Sequence, residues 1–222
     1  LVNRDRKMFI KTSRIFLRLT SAIAAAASLG LALLLPYVNY ALFKDYKGNL
    51  TLLLFVFAIF LMAMVQAYQS IAQSQNQYRS SLQAAGAGLV LKIVTTGGLT
   101  KQFGTVGASL STLIGLAIAL FILHLTSERE TRNYGNERRF NQKLLLCLIG
   151  MVVVLLCYYG GISLIFGVVH KRSIALIAAI LGVAIGGSTF ILLAIQIRLL
   201  TIREWLMLPF GSKLLRINWK RG

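Results

Sequence analysis

The feature that most constrains this chain is a series of long apolar runs that carry almost no charge. At about 1.5 Å per residue, the longer runs can cross the roughly 30 Å hydrocarbon core of a bilayer. Because backbone amides in lipid need partners within the chain, helices are the expected structure. The sequence therefore predicts an all-α polytopic membrane helical bundle of about six transmembrane helices, at residues 19–43, 50–65 with a polar extension, 81–96, 105–126, 144–169 and 173–197.

The composition agrees with a membrane protein. Hydrophobic residues make up 57% of the 222 residues and charged residues only 14%, whereas about a quarter are charged in soluble domains. The formal net charge of +18 would suggest nucleic acid in a soluble protein, but here the basic residues flank the apolar runs. We therefore expect contacts with membrane lipids and no nucleic-acid partner.

The basic residues also predict an orientation. If residues 1–18 lie in the cytoplasm and the chain crosses six times, 18 Lys and Arg residues fall inside and 6 outside. This bias follows the positive-inside rule, so we expect a multi-pass protein of the cell membrane with both ends cytoplasmic. The resulting divisions are a basic segment at 1–18, four spans within 19–126, a cytoplasmic loop at 127–143, a final helix pair within 144–197 and a basic-aromatic tail at 198–222.

Groups suited to catalysis do not converge in this sequence. None of the six acidic residues lies deep in a predicted span, and His124 and His170 fall near opposite membrane faces. Acid–base or metal catalysis needs such groups in one place. We therefore expect no enzyme activity, no bound metal and no cofactor.

Lys92 is the one ionisable residue inside a predicted span. Charges within the membrane are costly and often functional, so Lys92 could bind an anionic headgroup beside an aqueous cavity. The alternative is that Lys92, about one turn from the outer end of the run at 81–96, extends its long side chain to the interface.

A glutamine stripe is the second candidate site. Gln66, Gln69 and Gln73 are spaced to share one face of the second helix. They could bind sugar hydroxyls along a hydrated pathway, or they could mark a helix leaving the bilayer or hydrogen bonds between helices. Gln66 is expected to be the most buried of the three.

Small residues recur at the spacing of helix-packing motifs. Gly107, Ser111 and Gly115 fall at every fourth position of the fourth span, and Gly182 and Gly186 do so in the sixth. Such spacing allows close approach of helix backbones, which is a structural role.

One segment resembles a known transporter superfamily. The segment is QAYQSIAQSQNQYRSSLQAAGAGLVLKIVTTGGLTKQFGTVGASLSTLIG. It contains a glutamine-containing helix end, a helix with an internal lysine, a hairpin turn that includes Gly97, Gly98 and Gly104, and the start of a following helix. This pattern is similar to the C-terminal lobe of polysaccharide and lipid-linked-oligosaccharide flippases of the multidrug/oligosaccharidyl-lipid/polysaccharide exporter superfamily. The ending REWLMLPFGSKLL is similar to Gram-positive members, including the lipid II flippase group.

The resemblance implies part of a MATE-like two-lobe transporter working by alternating access. Its substrate would be an anionic lipid-linked cell-wall or polysaccharide precursor. Its partner would be an N-terminal lobe missing from this chain. Its final helix pair would flank a groove for the lipid tail. The alternatives are a cation-coupled multidrug exporter of the same superfamily and a non-transporting scaffold for cell-envelope enzymes. A membrane-embedded transferase is disfavoured by the missing carboxylates.

Overall fold

The computed structural model describes residues 2–44, 48–126, 137–166 and 172–200, with side chains at 8–44, 48–126, 139–164 and 172–200. This part of the chain consists of helices joined by turns, in the order α1 (Val2–Phe43), α2 (Asn49–Ser74), α3 (Tyr78–Phe103), α4 (Thr105–Thr126), α5 (Glu137–Phe166) and α6 (Arg172–Gln196). Within these residues, six helices are long and apolar enough to span a membrane. The all-α polytopic architecture is confirmed.

The helix boundaries correct several details of the prediction. The basic segment at 1–18 and the first span belong to one 42-residue helix that continues through Pro36. Residues 137–143, predicted as loop, form the first two turns of α5. Residues 127–136 and 201–222, which hold the rest of that loop and most of the tail, lie outside the described residues.

The α3–α4 hairpin turns at one glycine rather than three. Gly97 and Gly98 are helical, because α3 continues to Phe103, well beyond the predicted end at residue 96. Gly104 alone occupies the turn, with a φ of +59° that an L side chain rarely adopts. The glycine pattern predicted the hairpin but not its position.

The six helices pack in two groups that share α1. One apolar core joins α1 to α5 and α6 around Leu34, Met151 and Leu155. A second core joins the start of α1 to α2 and α4, and includes Tyr68 of α2 and Ala84 of α3. Most packing of α3 is against α4, so α3 lies at the edge of the bundle.

Candidate functional site

A groove lies between α1 and α6 in the described part of the chain. It encloses about 560 Å³, within the roughly 300–1,000 Å³ of small-molecule pockets. Its walls are α1 from Leu19 to Leu34 and α6 from Gly182 to Ala194, and the buried side chains of Met151 and Leu155 on α5 form its floor. Every lining residue is apolar or glycine. We call this feature the α1–α6 groove.

The α1–α6 groove ends near the middle of α6. There Leu34 packs so closely on α6 that a Cβ at Gly182 would overlap its side chain. The Tyr158 hydroxyl donates to the Ala178 carbonyl at 2.8 Å. At the start of α6, the Arg172 Nε donates to the Ala41 carbonyl near the end of α1, at 2.7 Å. These contacts hold α1, α5 and α6 together beyond the groove, so the groove opens toward the face where α1 begins and α6 ends.

Basic side chains surround that open end. The Arg18 guanidinium lies over the Phe140 ring, 5.4 Å from its centroid. The Lys143 ammonium, one turn further along α5, donates to the Arg198 carbonyl at 3.0 Å. Arg14 precedes Arg18 by one turn of α1. We call Arg14, Arg18, Lys143 and Arg198 the basic rim, and the membrane face that carries them the basic face.

The glutamine stripe lies on a surface that the described helices leave uncovered. Gln66 and Gln73 are exposed and Gln69 is half-buried. The buried residues of this part of α2, including Val65, Tyr68 and Ala72, point to the opposite side of the helix. The expectation that Gln66 would be the most buried of the three is wrong, because its face of α2 packs against neither α1 nor α4.

Lys92 lies further from the end of its helix than the sequence suggested. Eleven residues separate it from the end of α3, a distance of about 16 Å along the axis. A Cβ built on Gly115, the eleventh of the 22 residues of α4, would lie 3.1 Å from the Lys92 Cβ. Both helices therefore place Lys92 near their own midpoints, and its side chain is exposed.

The predicted small residues lie where helices meet. Gly107, Ser111 and Gly115 are buried on the face of α4 that contacts α3, and the Thr96 and Ser111 hydroxyls are 2.8 Å apart. Gly182 contacts Leu34 of α1, and Gly186 contacts Leu155 of α5. The two groups therefore lie in different interfaces.

Two further features were not foreseen from the sequence. The Tyr68 hydroxyl lies 3.2 Å from the His124 Nδ1, with the rings edge to face. The Asn39 amide donates to the Asn49 side-chain oxygen, across the turn between α1 and α2. Polar residues at helix ends offered a weak signal for both pairs. No group of three potential metal ligands occurs among the described residues.

Comparison with known proteins supports the membrane assignment. No known family profile matches the chain, and no solved structure matches it. The chain is 28% identical over 219 residues to a Bacillus subtilis (strain 168) protein named uncharacterized membrane protein YabM. The match covers 99% of this chain and 41% of YabM, so the chain spans about two-fifths of that relative's length. The fold and this likeness together define a multi-pass α-helical membrane protein.

Proposed function

We propose that this chain is the C-terminal part of a flippase that moves anionic lipid-linked saccharides across the cytoplasmic membrane by alternating access. The proposal concerns transport rather than catalysis. One observation carries it: Lys92 lies near the middle of α3, opposite the middle of α4, on a surface that the described helices leave open. The resemblance to polysaccharide flippases supplies the substrate class.

The depth of Lys92 argues against contact with lipid. A lysine at the centre of a lipid-facing helix costs about 2.5–3.5 kcal/mol on insertion scales, and more in simulations. From the middle of the bilayer the headgroups are about 15 Å away, which is beyond the reach of one side chain. The surface around Lys92 is therefore expected to face a hydrated cavity or another part of the transporter.

The polar groups of the spans favour an anionic substrate. None of the six acidic residues falls within the six candidate spans of the described part, whereas Lys92 and the exposed Gln66 do. A lysine and amides can bind a diphosphate and sugar hydroxyls through hydrogen bonds. A site for drug cations would need carboxylates, so the lipid-linked saccharide is preferred over the multidrug alternative.

The length of the relative is compatible with a second lobe. YabM has more than half its residues outside the match, which is enough for a further set of helices. In many secondary transporters, the substrate site lies near the midplane between two such repeats. Lys92 and the glutamine stripe would then line this chain's side of the cavity.

Reconstituted full-length transporter tests the proposal. Vesicles containing it should expose a fluorescent lipid-linked saccharide to an external quencher faster than protein-free vesicles. Lys92→Gln should slow this exposure about tenfold or more, because a charge-assisted contact is lost, and Lys92→Arg should retain part of the rate. Lys101→Gln, which removes an exposed charge at the end of the same helix, is the matched control.

Two results would contradict the proposal. Exposure of the saccharide no faster than in protein-free vesicles would exclude flippase activity for that substrate, and drug efflux by the same vesicles would favour the exporter alternative. Wild-type rates for a folded Lys92→Gln protein would remove Lys92 from the pathway.

A further inference from the structure

The α1–α6 groove and the basic rim form one amphipathic site. We propose that the groove holds one acyl chain of an anionic phospholipid from the leaflet on the basic face, with the lipid phosphate bound by the basic rim. The inference does not depend on the proposed transport activity, because it rests on the groove, its length and the charges at its mouth.

The length of the groove matches one leaflet. From Leu19 to Leu34 it follows α1 for 15 residues, or about 22 Å. Half of a bilayer, with its headgroups, is about 20–22 Å thick. The groove ends near the membrane middle, where Leu34 meets Gly182. A phospholipid chain therefore fits, whereas a long polyprenyl tail would extend well past the end.

Its wholly apolar lining excludes a polar occupant. Nineteen residues line the groove, and each is apolar or glycine. A polar ligand buried there would lose its hydrogen bonds to water without replacement, at a cost of about 1–3 kcal/mol per group. A hydrocarbon chain has no such requirement and gains contact with Met151 and Phe190.

The basic rim is placed to receive a phosphate. Arg18 and Arg198 each directly precede residues that line the groove, Leu19 on one wall and Leu199 on the other. Phe140, which stacks with Arg18, and Lys143, which contacts the Arg198 backbone, share one face of α5 because they are three residues apart. These contacts bring Arg18 of α1, Lys143 of α5 and the turn that follows α6 to one place.

Lys143 retains donors for an anion. An ammonium has three N–H donors and a guanidinium five, and Lys143 is shown with one hydrogen bond, to Arg198. The Arg198 carbonyl that Lys143 contacts lies two residues beyond the end of α6, where a positive charge stabilises the helix dipole. A phosphate would therefore bind to cations that the fold already holds in position.

The occupant can be tested by lipid retention. The full-length protein is purified from vesicles of phosphatidylglycerol and phosphatidylcholine with identical acyl chains, and bound lipid is measured by native mass spectrometry. We expect selective retention of phosphatidylglycerol. Arg18→Gln with Arg198→Gln should weaken it about 30-fold, from roughly 1 kcal/mol per basic residue. Lys44→Gln with Lys101→Gln removes two exposed charges near the other face and is the matched control.

A second variant tests the groove itself. Gly187 lines the groove, and a Cβ there meets nothing within 4 Å, so Gly187→Leu should fill the groove without disturbing the backbone. Retention of phosphatidylglycerol should then fall at least tenfold. Gly98→Leu, at an equally open helical position outside the groove, should leave retention unchanged.

Several outcomes would overturn the inference. Equal retention of the two phospholipids would show that the rim does not select charge, and unchanged retention in Gly187→Leu would place the lipid elsewhere. Preference for a polyprenyl phosphate over phosphatidylglycerol would assign the groove to a transported lipid instead. Absence of bound lipid would leave the chain's own residues 201–222, or nothing, as the occupant.

Discussion

The contact between Gly88 and Gly115 makes the packing of α3 on α4 measurable. A Cβ at either position would lie only 2.7 Å from the carbonyl oxygen of the other glycine. Ordinary carbon–oxygen contacts are about 3.3 Å or longer, so an added methyl group must push the backbones apart by roughly 0.6 Å. We expect Gly115→Ala to destabilise the hairpin because a backbone carbonyl, unlike a side-chain end, cannot rotate away.

The size of the effect follows from two opposing terms. Overpacking costs about 1–3 kcal/mol, and replacing a helical glycine by alanine recovers about 0.5–1 kcal/mol. Gly115→Ala should therefore lower the free energy of unfolding by roughly 1 kcal/mol, within a range of about 0–2.5 kcal/mol. Gly98→Ala, on the partner helix with nothing within 4 Å of its Cβ, should raise it by about 0.5–1 kcal/mol.

The free energy of unfolding of both variants would be measured in mixed micelles with an increasing fraction of denaturing detergent. Circular dichroism would follow the loss of helix. The double variant Gly88→Ala with Gly115→Ala should lose less than the sum of the two single changes, because separation of the backbones for one methyl group makes room for the other. The packing would be refuted if Gly115→Ala were as stable as Gly98→Ala.

Two further predictions concern orientation and the closed end of the groove. The first uses a background in which Cys147 and Cys157 are replaced by Ser. Gln102→Cys should then react with an impermeant thiol reagent added to intact cells and Ser74→Cys should not, because the 18-to-6 distribution of basic residues orients the turn after α2 inward. The reverse pattern would contradict that orientation. The second concerns Tyr158→Phe, which removes the hydrogen bond to the Ala178 carbonyl and should lower the free energy of unfolding in detergent titration by about 0.5–1.5 kcal/mol. Tyr159→Phe keeps the ring contact with Tyr37 and should lower it by less.

Hydropathy along the chain predicted the number and approximate positions of the helices. It did not predict features that depend on contacts between helices. The fourth span was placed at residues 105–126, where α4 lies, because that run is uniformly apolar and begins after a glycine. The predicted end of α3 at residue 96 is too early, because Gly97 and Gly98 were assigned to the hairpin turn but are helical. That error also put Lys92 about one turn from the end of its helix, whereas eleven residues of α3 follow it.

Hydropathy could not place the groove in the same way, although the resemblance to the lipid II flippase group implied a groove beside the final helix pair. Its walls, at residues 19–34 and 182–194, are far apart in the chain, and no local pattern shows that α1 contacts α6 rather than another helix. Only the small residues Gly182 and Gly186 indicated an interface there. Likewise, Arg18 and Lys143 could be assigned to one membrane face from charge, but their common position beside Phe140 depends on tertiary packing.

Water access at position 92 tests the central claim most directly, because the claim requires an aqueous surface at mid-membrane depth. Single cysteines at Lys92, Val90 and Ile93 share nearly the same depth on α3, and all three native side chains are exposed. A small water-soluble thiol reagent reacts only with the thiolate, which forms in water and not in lipid. In the full-length protein in native membranes, we predict rapid labelling at position 92 and slow labelling at 90 and 93. Equally slow labelling at all three positions would place Lys92 against lipid or packed protein and contradict the proposed cavity.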